Sequence, residues 1–327
     1  MNRFWKRYIQ PLIENVQPKR ILEIGADRGW NTQHILAYCR QSGAIADIVD
    51  PCPQPSLHDV LASYGPAEYR YYALKSIAAI SQLATPDIAL IDGDHNWATV
   101  YAELDQLQAT SERHGEIFPI ALFHDVAWPY ARRDMYYNPD DLNASERHPY
   151  AYRGMLPGIS ELVEEGMNGV LANALHEGGP RNGVLTAIED FIASSSTKFI
   201  FRTLPFSNGL GILVPTARMT PTLQALIDSF YSAEGLMQAC IALETESMHI
   251  RAQLAQTETQ LTRRTEALQR ARALLHAQAI RLHELEQAAI PLANVVNLPS
   301  RPSTGTRAES LTLDNNEELK PQVMGSA

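Results

Sequence analysis

The chain of 327 residues is short of several things, and each absence removes a class of protein. It has three cysteines, Cys39, Cys52 and Cys240, scattered and without a CxxC pair, so a disulfide framework is excluded and a reducing, cytoplasmic setting is expected. Positive charge is in deficit: 27 Lys+Arg stand against 37 Asp+Glu, a net of −10, and a backbone of phosphates has no basic face to bind. No apolar run approaches the roughly 18–20 residues of a membrane span. The opening MNRFWKRYIQPLI is basic and aromatic but lacks the apolar centre of a secretory signal, and reads instead as a helix packing on the fold. No G-x-G-x-x-G is present. Between about residues 220 and 290, Gly and Pro nearly disappear.

What remains falls into three zones. Residues 1–218 mix short β-branched runs with amphipathic segments. RILEIGA (20–26), AIADIVDP (44–51), the weaker Tyr69–Ala73, PDIALIDGD (86–94) and PIALFHDV (119–126) read as strands. Helical stretches separate them, one capped by Asn31 or Thr32 and another carrying Val100, Leu104 and Leu107. Gly183–Ala193 reads as a further helix. KFIFRTLPFSNGLGILVP (198–215) reads as two strands across a Ser-Asn-Gly turn. This alternation predicts an α/β fold: a doubly wound, Rossmann-like, seven-stranded sheet with an antiparallel C-terminal hairpin.

Residues 219–290 predict a long helix. Leu254, Leu261, Leu268, Leu275 and Leu282 recur every seven residues, one seam of a coiled coil, with a mixed companion seam from Leu236 to Leu285. About seventy helical residues would span about 105 Å. Self-association through residues 236–285 is the expectation, with folding back onto the globular part as the alternative. Residues 291–327 are polar and rich in Pro, Ser, Thr and Asn, and are expected to be a disordered tail.

In open α/β sheets ligands bind beyond the carboxyl ends of the strands. Four places qualify. The first is the loop Glu23-Ile-Gly25-Ala-Asp-Arg-Gly29-Trp-Asn31-Thr32, where two glycines allow close approach of backbone to ligand above a helix N-terminus. Its G-x-x-x-G spacing suits a dinucleotide pyrophosphate poorly. The second is Asp50, an acid placed to accept hydrogen bonds from ribose hydroxyls. The third is Asp92-Gly93-Asp94-His95, whose carboxylates and imidazole suit cation binding or proton removal. The fourth is His124-Asp125, on the same sheet edge.

These places resemble the class I S-adenosylmethionine-dependent methyltransferases. They resemble more narrowly the branch in which strand four ends in IDGDH-x-[YW]-x-x-V, here Ile91-Asp92-Gly93-Asp94-His95-Asn96-Trp97-Ala98-Thr99-Val100. EIGADRGWNT matches the same branch's first loop. The resemblance covers about residues 18–216. It implies that Glu23, Gly25, Gly29 and Thr32 hold the methionine part of S-adenosylmethionine, Asp50 its ribose, and Ser76 and Asp92 further parts of the cofactor. In sugar- and antibiotic-tailoring members, and in cephalosporin-hydroxylase-like relatives, acids after strands four and five bind Mg²⁺. The matching positions are Asp92, His124 and Asp125, and His124 stands where an acid is often found, which leaves Mg²⁺, Mn²⁺, another transition ion or no metal open. Asp94 or His95 would be the general base.

Residues 128–182 form an insertion dense in aromatics and arginine. Trp128, Arg132, Arg133, Tyr136, Tyr137, Arg153 and Arg181 are its candidates for binding an acceptor, by aromatic stacking on a sugar and by pairing with an acidic group. The resulting expectation is methyl transfer to a hydroxyl of a sugar, polysaccharide or glycosylated small molecule, with a polysaccharide-assembly partner as a further expectation. The alternatives are a non-catalytic scaffold assembled through its coiled coil, or an NAD-dependent oxidoreductase.

Overall fold

The structure, a computed structural model, describes residues 1–293, and their side chains through residue 287. Two compact units are present, Met1–Ser232 and the segment from Ala233 onward.

The first unit is built on a seven-stranded sheet. Its strands are β1 (Arg20–Ile24), β2 (Ile45–Val49), β3 (Tyr69–Tyr72), β4 (Ile88–Ile91), β5 (Ile120–His124), β9 (Phe199–Leu204) and β10 (Leu210–Pro215), in the order β3-β2-β1-β4-β5-β10-β9. The first five are mutually parallel, and β10 runs antiparallel to both β5 and β9. β1, β2, β4 and β5 are covered on both faces, which is why they read as mostly apolar runs. The turn between β9 and β10 places Ser207, Asn208 and Gly209 at positive φ, the conformation that the Ser-Asn-Gly signal predicts.

One face of the sheet packs against α1 (Gln10–Val16), α2 (Thr32–Ser42), α3 (Pro55–Leu61) and the N-terminal turns, through Phe4, Tyr8, Leu12, Ile35, Leu36 and Leu57. The other packs against α4 (Ser76–Ile80), α5 (Trp97–His114) and α6 (Val184–Ser194), through Ile80, Val100, Leu104, Leu107, Ile188 and Phe191.

The insertion folds around a second, three-stranded antiparallel sheet of β6 (Met135–Tyr136), β8 (Ala172–Ala174) and β7 (Tyr150–Tyr152), with β8 in the middle. Asp134 fixes it to the main fold. Its buried carboxylate accepts hydrogen bonds from the Trp97 and Gly183 amides, each at 2.7 Å, and from the Tyr136 hydroxyl at 2.9 Å. Asp134 thus ties the starts of α5 and α6 to β6.

The globular unit runs past residue 218. α7 (Pro221–Phe230), which starts at a Thr220 cap, buries Leu223, Ile227 and Phe230 in the same core as α1. Composition alone had merged these residues with the long helix. That helix, α8 (Ala233–Ala293), is unbroken over 61 residues, about 90 Å. Leu254, Leu261, Leu268, Leu275 and Leu282 are all exposed on it. The expected disordered tail, 291–327, lies outside the described residues except for the end of α8.

Candidate active site

Four strand ends bring the predicted residues together at one edge of the sheet. After β1 the chain turns through Gly25, Asp27 and Gly29, all at positive φ, before entering α2. Only glycine fits at residue 25: a Cβ there would lie 2.2 Å from the Asp92 carbonyl oxygen. The first loop therefore lies directly against the end of β4.

Asp50, at the end of β2, accepts hydrogen bonds from the amides of Ala26 (2.9 Å), Asp27 (2.8 Å) and Cys52 (2.9 Å). Its first task is to fix the loop, and its remaining lone pairs are what it has for a ligand. The Thr32 hydroxyl (2.6 Å) and the Asn31 amide (2.8 Å) donate to Glu23, so Asn31 is at the helix N-cap without capping through its side chain. Burial raises the Glu23 carboxyl to about 7, against these two hydrogen bonds.

At the centre stand Asp92, His95, His124 and Asp125. His124 Nδ1 is 3.1 Å from Asp92 Oδ1 and 2.9 Å from Asp125 Oδ2. His95 Nε2 is 3.1 Å from Asp125 Oδ2 and 3.8 Å from Asp92 Oδ1. The other Asp92 oxygen accepts from the Met1 ammonium at 2.6 Å. Burial would lower the His124 imidazole, but Asp92 and Asp125 outweigh it and raise it to about 9. His95 is raised in the same way, with Asp125 its main support. Both acids are held below the ordinary carboxylate range despite burial, Asp92 by His124 and the Met1 ammonium and Asp125 by His95 and His124. Asp125 adopts φ 60, a conformation that costs a non-glycine residue about 1 kcal/mol or more and that the surrounding structure must impose.

Asp94 lies beside this group. Its carboxylate accepts from the Thr99 hydroxyl at 3.2 Å, and burial raises its pKa. The His95 ring stacks on Tyr130, with centroids 5.3 Å apart, and meets Tyr137 at 5.7 Å. Tyr137 is well exposed. The insertion also crosses to the β3–α4 loop, where Asp141 pairs with Lys75 at 2.9 Å.

The arginines of the insertion have partners within the protein. Arg132 forks onto Glu189 of α6. Arg133 is buried and donates to the carbonyls of Ala174 and Ser160. Arg153 pairs with Glu164, and Arg181 lies over the Trp97 ring at 5.0 Å. Tyr136 is likewise buried, donating to Asp134. Arg133 and Tyr136 are buried away from any acceptor, whereas Arg132, Arg153 and Arg181 keep accessible surface beside their protein partners; Trp128, which packs on the cluster around Tyr130, and Tyr137 stay near the site. Charge density in the insertion's sequence does not distinguish arginines that wait for a ligand from arginines that hold a loop together.

Sequence reasoning missed two residues. Asp134 is one. The other is Glu103, fully buried on α5 with no hydrogen-bond partner at either oxygen, near Ser76 and Gly93. The signal was present: an acid one residue before Leu104, on the face that carries Val100 and Leu107.

No family profile matches the chain, and no curated protein matches it. Among solved structures it is similar to the methyltransferase of Podospora anserina bound to SAH, at 16% identity over 62% of this chain and 74% of that one, with a TM-score of 0.39. It is also similar to human N-acetylserotonin methyltransferase in complex with SAM, at 13% identity, 63% and 49% coverage and a TM-score of 0.35. An O-methyltransferase family protein of Burkholderia thailandensis is similar at 10% identity, 65% and 57% coverage and a TM-score of 0.35. In the chain's own sheet an antiparallel strand is inserted between the fifth parallel strand and the edge. Among the described residues no helix is long and apolar enough to cross a membrane.

Proposed function

We propose that the chain is an S-adenosylmethionine-dependent methyltransferase acting on a hydroxyl of a carbohydrate or glycosylated small molecule. The observation that supports this best is the convergence of the Gly25–Thr32 loop, Asp50 and the Asp/His cluster at the carboxyl ends of β1, β2, β4 and β5 in that sheet order. Gly25 and Gly29 would shape the bed for the methionine part of the cofactor and Asp50 would meet its ribose. Ser76, at the start of α4, would border the adenine. When bound, the cofactor supplies an activated methyl group, so the protein's tasks are to align the acceptor and remove its proton.

A sugar hydroxyl has a pKa far above 7 and needs a base, a cation, or both. Asp94 is the better base of the two candidates: burial raises its proton affinity, and it is only partly covered. His95 faces two carboxylates that favour its protonated form, which suits orientation better than proton removal. A divalent cation held by Asp92, His124 and Asp125, three groups whose ligand atoms lie within 4.8 Å of one another, would acidify the acceptor. Tyr137 and Trp128 offer aromatic faces for a sugar ring. Through the exposed leucine seam of α8 the chain would self-associate, most simply as a parallel coiled coil.

Titration calorimetry with S-adenosylhomocysteine, alongside NAD, tests the reading. Micromolar binding of the homocysteine product that is lost in Asp50→Ala supports it. No binding by the folded protein refutes it and leaves the scaffold assembled through α8.

A further inference from the structure

Among the described residues Glu103 is the one buried acid with neither oxygen in a hydrogen bond. It is wholly inaccessible to solvent, on the face of α5 that also buries Val100 and Leu107. Burying a carboxyl without a partner costs stability, and native proteins hold few such groups. An apolar side chain at this place would suit the fold better, so stability does not account for the acid.

Its surroundings point to a ligand. Glu103 Oε1 lies 4.0 Å from where a Cβ on Gly93 would stand, in the turn after β4. Gly93 is not at positive φ, so no backbone conformation calls for glycine there, yet a Cβ would come within 3.0 Å of Ile24 Cγ2. Glycine at 93 therefore sets no side chain beside the carboxyl. On the other side is Ser76, at the start of α4, close enough to ease the carboxylate but not hydrogen-bonded to it. Leu74 and Ile77, flanking Ser76 in the chain, are exposed.

In the sheet order β3-β2-β1-β4, the turns after β3 and β4 bracket the ends of β2 and β1, where Asp50 and Gly25 stand. A nucleoside whose ribose meets Asp50 would carry its base, one glycosidic bond away, toward that bracket. Leu74 and Ile77 offer apolar surface for the faces of a flat ring, and Ser76 and Glu103 offer polar groups for its edge. Burial raises the Glu103 carboxyl to about 8, so it keeps its proton at neutral pH and presents one donor and one acceptor side by side. Adenine presents the complement, an amino donor next to a ring-nitrogen acceptor, which is how side-chain amides read it.

We propose that Glu103 selects the base of the bound nucleoside, pairing through its carboxyl with the 6-amino group and the neighbouring ring nitrogen of adenine. That the nucleoside is S-adenosylmethionine rests on the methyltransferase reading; that α5 selects its base is the added step. The cost of burying the acid is offset on binding, when both oxygens gain partners.

The test is titration calorimetry on the full chain at pH 7 with two ligands. One is S-adenosylhomocysteine, and the other is its analogue with hydrogen in place of the 6-amino group. Wild type should bind the analogue about tenfold more weakly, the usual effect of leaving a buried polar group unpaired. Glu103→Gln keeps a donor and an acceptor and should bind S-adenosylhomocysteine within about threefold of wild type, with the preference intact. Glu103→Leu should bind it about tenfold more weakly and distinguish the two ligands by less than about threefold, a loss of coupling that a merely structural role would not produce. Equal binding of the two ligands by wild type overturns the proposal without need of a variant, as does a Glu103→Leu protein that keeps the wild-type preference; both leave the methyltransferase reading standing. Failure of folded wild type to bind either ligand refutes that reading, and the base selection falls with it.

Discussion

Replacing Glu103 by Gln should make the protein more stable in alkaline solution. The carboxyl is fully buried on α5, has no hydrogen-bond partner, and is raised by burial from 4.5 to about 8, the nearby Ser76 side chain offsetting only part of the cost. Because the folded-state value is the higher one, the native protein binds this proton more tightly than the unfolded chain does. Stability from this group is therefore complete below pH 4.5, declines as pH rises and reaches its minimum above pH 8. At about 1.4 kcal/mol per pH unit, the full decline is on the order of 4–5 kcal/mol, an upper figure for a site that relaxes or admits water. Gln has nearly the same shape and does not titrate. Wild type and Glu103→Gln should thus have similar thermal midpoints near pH 5. At pH 9 the variant should be higher by up to about 8–20 °C, at about 2–4 °C per kcal/mol for a domain of this size. Some pH dependence will persist in both, since Glu23 is raised to about 7 by the same cause. Thermal unfolding by circular dichroism between pH 5 and 9 at constant ionic strength measures the difference. Parallel curves over that range would refute the reasoning.

Three further outcomes are expected. Gly25→Ala should lose cofactor binding and at least about 2 kcal/mol of stability, because its Cβ would press on the Asp92 carbonyl, whereas Gly43→Ala, also at positive φ but in open space, should cost only about 1–2 kcal/mol; urea unfolding of the pair separates clash from conformation. Asp134→Ala strands the Trp97 and Gly183 amides and should cost about 3–5 kcal/mol, with protease cleavage appearing first within 135–182; cleavage elsewhere would count against its anchoring role. A chain ending at Ser232 should keep the thermal midpoint of the globular unit and sediment as a monomer, while the full chain sediments as an oligomer; identical sedimentation per unit mass would remove the coiled-coil reading.

The sheet and its loops are legible in the amino-acid pattern. Runs such as RILEI and IALFH are mostly apolar because both faces of those strands are covered, and the local turn chemistry at Gly25, Gly29 and Ser207–Gly209 is written in residues that tolerate positive φ. It also placed Asp50, Asp92, Asp94, His95, His124 and Asp125 at strand ends, and a parallel sheet brings such ends to one edge.

Which partner each side chain meets was settled by folding. Whether Arg133 meets a ligand or the Ala174 carbonyl, and whether Tyr136 faces solvent or Asp134, depends on partners about 40 residues away or on the path of the insertion. Whether the segment after residue 218 joins α8 or packs on α1 depends on which apolar face finds cover. The same holds at the site: the sequence supplied two histidines and two aspartates, but their contact arises from the meeting of β4 with β5 and the stacking of His95 on Tyr130. Periodicity reports which face of an element is buried, and it carries no information about which distant atom will be waiting there.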